Sequence, residues 1–123
     1  MINWYFGWSM ILAAFASGAA IGTMFHRDDF LGGYQSFRRR VLRLGHIALA
    51  ALGMINILFA MSTPAPAENV RATVASLGFI VGGLSMPAVC FLTAWRTECR
   101  HLFFIPVTSL IVAAAQTLRV GMP

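Results

Sequence analysis

Residues 41–61 read VLRLGHIALAALGMINILFAM. Arg43 and His46 are the ionisable groups of this stretch, and the fifteen residues from Ile47 to Met61 carry no charge. At a rise of ~1.5 Å per residue, about 20 residues cross a ~30 Å hydrocarbon core. A run this long and this apolar predicts a transmembrane helix. Three more runs on either side meet the same test, at about 4–25, 70–95 and 101–120. The expected fold is therefore an all-α integral membrane protein, a single domain of four transmembrane helices (spans 4–25, 41–61, 70–95 and 101–120) in an up-down bundle.

The composition agrees. Of 123 residues, 59% are hydrophobic and 11% are charged. A soluble domain is about 45–50% apolar and about 25% charged. The mean hydropathy is +0.75. Four crossings use most of the chain and leave no length for a soluble domain. The formal charge is +5, and all nine cations are arginine. These arginines flank apolar spans, which points to orientation and anionic lipid and away from nucleic acid. The two cysteines, Cys90 and Cys99, suggest no disulfide framework. The opening Met1-Ile2-Asn3-Trp4 lacks a basic segment, so the first span reads as a retained helix and not a signal peptide.

The connections carry direction. Trp4, Tyr5 and Trp8 crowd the first turns of span one, as an interfacial aromatic belt would. Gly32-Gly33 breaks the long first connection, and Arg38-Arg39-Arg40 and Arg43 lead into span two. The prolines Pro64 and Pro66 mark an extended turn. Glu68 and Asn69 are candidate caps for span three, which contains Pro87. The first and third connections hold Arg27, Arg38, Arg39, Arg40, Arg43, Arg96 and Arg100, against Arg71 and Arg119 on the other side. The positive-inside rule then places both termini on the non-cytoplasmic side and the arginine-rich loops in the cytoplasm of a bacterial-type inner membrane. Arg38, Arg39, Arg40 and Arg43 are expected to meet anionic lipid headgroups, at roughly 1 kcal/mol per arginine near the surface.

Helices in lipid associate by close approach and by polar contacts. Ala14, Gly18 and Gly22 form a small-residue stripe on span one, and Gly78 and Gly82 one on span three. Gly18, Gly22, Gly78 and Gly82 are the expected packing positions. Asn56 and Gln116 are the main amides within the spans, each placed to hydrogen-bond across to a neighbouring helix.

The histidines are the lead for chemistry. His26, His46 and His101 fall at one level if the spans alternate in direction. Two imidazoles on facing helices can ligate haem iron axially, with arginines pairing its propionates. Of the three, His46 is the most embedded, and an ionisable group there usually has a partner. The expected cofactor-binding and iron-ligating pair is His46 with His101, and a b-type haem is the cofactor that would suit it. Gly45, Ala50 and Gly53 would leave room on span two for the macrocycle. The plainer alternative for His46 is a hydrogen bond to neighbouring backbone or lipid. The tripeptide Arg100-His101-Leu102 is similar to the haem-ligating segment of the membrane anchor subunits of succinate dehydrogenase. That likeness covers three residues, and the longer motif around it is absent. Cys90, Cys99 and His101 lie towards the same side, at a spacing that fits no standard zinc pair.

No Asp or Glu lies inside a span, so the embedded carboxylate of a proton-coupled exporter is missing. No nucleophile triad and no phosphate-binding glycine loop occurs. The expected role is not that of an enzyme but of a small accessory subunit in a larger membrane complex, of a respiratory or redox kind. Alternatives are an independent small cytochrome b carrying electrons from quinol, and an oligomeric transporter or channel.

Overall fold

The computed structural model describes residues 2–63 and 69–121, and these are helical with no strand among them. Helix α1 spans Ile2–Met24, α2 Phe37–Ser62, α3 Val70–Trp95 and α4 Phe104–Val120. With the 3-10 turn Thr97–Phe103 that leads into α4, each is long and apolar enough to cross a membrane. The proline pair Pro64 and Pro66 and the candidate cap Glu68 lie outside the described residues.

Local signals set the helix ends. The Ser36 side chain accepts from the Arg39 amide at 3.2 Å, which starts α2 at Phe37. The arginine run thus forms the first turns of α2 and is not a lead-in to it. Arginine is a good helix former and the cap upstream is a serine, so the helix begins where the cap allows. Asn69 caps α3 in the same way, accepting from the Arg71 amide at 2.9 Å. The first connection turns through the 3-10 segment Phe30–Gly32, where Gly32 and Gly33 have φ of 87° and 97°. Those angles suit glycine because a Cβ would clash there. Helix α3 runs on through Pro87.

The four helices alternate in direction. Helix α1 packs along α2, α2 along α3, and α3 along α4, while α1 touches α3 over a shorter stretch. The glycines explain how closely these pairs approach. A Cβ on Gly7 would lie 2.5 Å from the Gly53 carbonyl, and one on Gly53 2.8 Å from the Gly7 carbonyl. Helices α1 and α2 therefore meet backbone to backbone at this crossing. Gly45 is covered by Phe91 and Cys90 of α3. Gly78 receives Ala113 and Ser109 of α4, and Gly82 receives Leu110. Gly83, beside them, receives Phe6 and Met10 of α1. Gly18 packs against the His46 ring. Gly22 departs from the expected stripe, because nothing lies within 4 Å of its Cβ position. It is exposed, although Phe25, three residues on, still meets Arg39 and Arg43 of α2.

A polar group joins three helices at the end opposite the arginines. Asn3 donates to the Asn56 side-chain oxygen at 2.8 Å and to the Ser76 carbonyl at 3.3 Å. The Ser76 hydroxyl donates back to the Asn3 side-chain oxygen. Asn56 in turn donates to the Leu52 carbonyl at 2.9 Å and to the Phe79 carbonyl at 3.3 Å. All three side chains are buried. Below them, Phe59, Ala75, Phe79 and Ala113 form an apolar cluster across α2, α3 and α4. Asn56 is thus the interhelical bridge expected of it, whereas the buried Gln116 side-chain oxygen accepts no hydrogen bond from the described residues. Asn56→Leu should lower stability by about 1–3 kcal/mol, the cost of stranding Asn3. Reversible unfolding in mixed detergent micelles would measure it. An Asn3→Leu/Asn56→Leu pair should cost less than the sum of its single changes.

Candidate functional site

Two groups of side chains at the arginine-bearing end could carry function: the surroundings of His46 and the arginines themselves. His46 lies on α2, one residue on from Gly45. That one-residue step turns it away from α3, which Gly45 faces, and towards α1. Its Nδ1 lies 3.0 Å from the Ser17 hydroxyl, and its ring covers Gly18. The Ser17 hydroxyl also donates to the Ala14 carbonyl at 3.0 Å. Ser17 and His46 share one hydrogen bond, whose direction depends on the tautomer of the ring.

His101 is elsewhere. It sits exposed on the 3-10 turn Thr97–Phe103, beyond the end of α3. His46 lies near the level of Cys90, which is five residues, more than one helical turn, short of Trp95. His46 thus meets α1, whereas His101 is exposed on the turn that leads into α4. Phe91 and Cys90 fill the space at Gly45, and the Gly7 backbone fills that at Gly53, so these two glycines serve close helix contact. Cys90 is buried, Cys99 is partly so, and no group of three or more metal-ligating side chains occurs among the described residues.

Removing the Ser17 hydroxyl should have a small but specific effect. Ser17→Ala is expected to cost roughly 0.6 kcal/mol, the mean for such interhelical bonds. It should also shift the His46 tautomer balance, read from the imidazole nitrogen resonances.

The arginines divide by position. Arg39 is 2% exposed and has no carboxylate partner among the described residues. Its Nε donates to the Phe30 carbonyl at 2.7 Å and one Nη to the Arg27 carbonyl. Its guanidinium lies 4.9 Å from the Phe25 ring centre and 5.7 Å from that of Phe30. Arg39 therefore faces inward, contrary to the expected headgroup role. The bent first connection leaves carbonyls that need donors, and Arg39 reaches them. Arg43 is half-buried, 5.0 Å from the Tyr34 ring centre and 6.0 Å from that of Phe25. Arg38 donates from Nε to the Ala94 carbonyl at 2.6 Å and from an Nη to the Trp95 carbonyl at 3.3 Å. These bonds tie the start of α2 to the end of α3 and put the first and third connections at one end of the bundle. Arg40 is fully outward.

Ser17 and Phe25 were not among the residues the sequence singled out. A serine in an alanine-rich helix and a phenylalanine at a span end carry no distinguishing signal.

No protein-family model, no curated protein and no solved structure matches this chain. The shape and chemistry of its surface are what bear on function.

Proposed function

We propose that this chain is a small accessory subunit of a larger membrane assembly. It would lie in a bacterial-type inner membrane, with its arginine-bearing end in the cytoplasm and both termini outside. The observation that carries this is the outer face of α1. Ser9, Ala13, Ala16, Ala20 and Thr23 recur at helical spacing, and all five are exposed. Lipid gains nothing from such a stripe, whereas a second helix gains close approach. The inward glycines of α1, Gly7 and Gly18, already serve α2. This outer stripe is therefore additional to what the bundle itself needs.

Purification from native membranes in mild detergent tests the proposal. The expected result is a co-purifying membrane partner that is lost on Ala16→Leu/Ala20→Leu, while the melting behaviour of the isolated chain is unchanged. A chain that runs alone, or a partner indifferent to the double substitution, would overturn it. The optical spectrum of the same preparation reports whether the assembly is a redox one, through the presence of a Soret band.

A further inference from the structure

The arginine-bearing end contains a cleft of about 410 Å³ lined by Arg38, Trp95, Arg96, Thr97 and Glu98. We infer that this cleft holds the head group of an anionic phospholipid, with the phosphodiester on Arg38 and Arg96 and a head-group hydroxyl on Glu98.

The positioning of Arg38 is the first argument. Two of its donors are spent on the carbonyls of Ala94 and Trp95, which fixes the guanidinium at the mouth of the helix pair. Its other Nη has no partner within the described chain. A guanidinium held in this way pays little further ordering cost when a phosphate oxygen arrives. Charge is the second argument. Neither Arg96 nor Glu98 is in an ion pair among the described residues. Two guanidiniums against one carboxylate leave the cleft with one net positive charge, which one phosphodiester balances. Glu98 would repel a second anionic group but accepts from a hydroxyl, as a glycerol head group offers. A choline head group offers no such donor.

The third argument separates a lipid from a free anion. Trp95 is 67% exposed at the end of α3, where interfacial aromatics gather. Leu84, Ala88 and Leu92 continue the same exposed face down α3 from Trp95. That apolar track begins at the cleft and gives acyl chains a course along the helix. Inorganic phosphate would make no use of it. The inference rests on the membrane reading of the bundle and needs no partner subunit.

Native mass spectrometry of the full chain in detergent would test the site, with phosphatidylglycerol or phosphatidylcholine added. Phosphatidylglycerol should be retained preferentially. Arg96→Gln should weaken that retention roughly fivefold, the equivalent of about 1 kcal/mol. Arg40→Gln, an equal charge change at the same end but outside the cleft, should weaken it less than about twofold, since no direct contact is lost. The Arg96 side chain is exposed and has no hydrogen bond or ion pair among the described residues, while its backbone bonds to Leu92 and Cys99 survive the substitution, so its loss leaves the bundle intact. Equal losses from the two variants would mean a diffuse field and overturn the site. Equal retention of the two lipids would also overturn it. Displacement of phosphatidylglycerol by millimolar inorganic phosphate would assign the cleft to a free anion and overturn the lipid reading.

Discussion

Gly7→Leu is expected to unseat α1 from α2, with a loss of roughly 3 kcal/mol or more. The size follows from what the new side chain meets. Its Cβ alone would lie 2.5 Å from the Gly53 carbonyl and 2.7 Å from the Ile57 side chain. The carbonyl belongs to helical backbone and cannot swing aside, so the helices must separate. Overpacking of a well-filled core usually costs about 1–3 kcal/mol, and more where backbone must move. Separation here would also pull Asn3 away from Asn56 and Ser76, which adds to the loss. Reversible unfolding in mixed micelles gives the free energy. Gly22→Leu is the control, because the same substitution enters open space there and should change stability by less than about 0.5 kcal/mol. If both substitutions cost the same, the close α1–α2 crossing is not what holds α1 in place.

Arg39→Met should be nearly as damaging, at about 3 kcal/mol. Methionine has a similar length and keeps most of the apolar contact with Phe25 and Phe30, so the change isolates the polar part. Hydrogen bonds from charged groups contribute about 1.5–3 kcal/mol each when buried. Arg39 makes two of them to carbonyls of the first connection. Arg39→Lys should rescue little, since a single ammonium does not reproduce the fork that reaches both Arg27 and Phe30. The readout is tryptic cleavage after Arg27, which should speed up in both variants and stay at the wild-type rate in Arg40→Met. If cleavage is unchanged in Arg39→Met, the connection is held by its turn geometry and not by the guanidinium.

The four helices were legible because uncharged runs of this length have few alternative fates. The alternation of direction followed from short connections. Rotation about each helix axis was not legible, and it decides the site. His46 and Gly45 are adjacent in sequence, yet they face α1 and α3. No periodicity in an almost wholly apolar helix tells those faces apart. The His46 ring meets Ser17 and Gly18 of α1, a contact that the sequence does not announce. Arg39 was read with its neighbours as one basic run, although a helix turns each residue by about 100° from the last, so three consecutive arginines cannot share an environment. Asn3 carries no signal in the sequence, because a single amide near the start of a span looks the same whether it faces a neighbouring helix or the boundary. Gly22 was expected to pack because it continues the stripe of Gly18. The stripe continues in sequence, but nothing packs against it at Gly22.

The buried Asn3–Asn56–Ser76 group has a consequence for how the protein is made. Synthesis runs from the amino terminus, so Asn3 is made before either partner exists. Asn56 arrives a helix later and Ser76 a helix after that. Until α3 is made, the Asn3 amide lacks part of its set of acceptors and donors. The Asn3 end of α1 is thus fixed only when α3 is in place, and its bonds report that these three helices have come together.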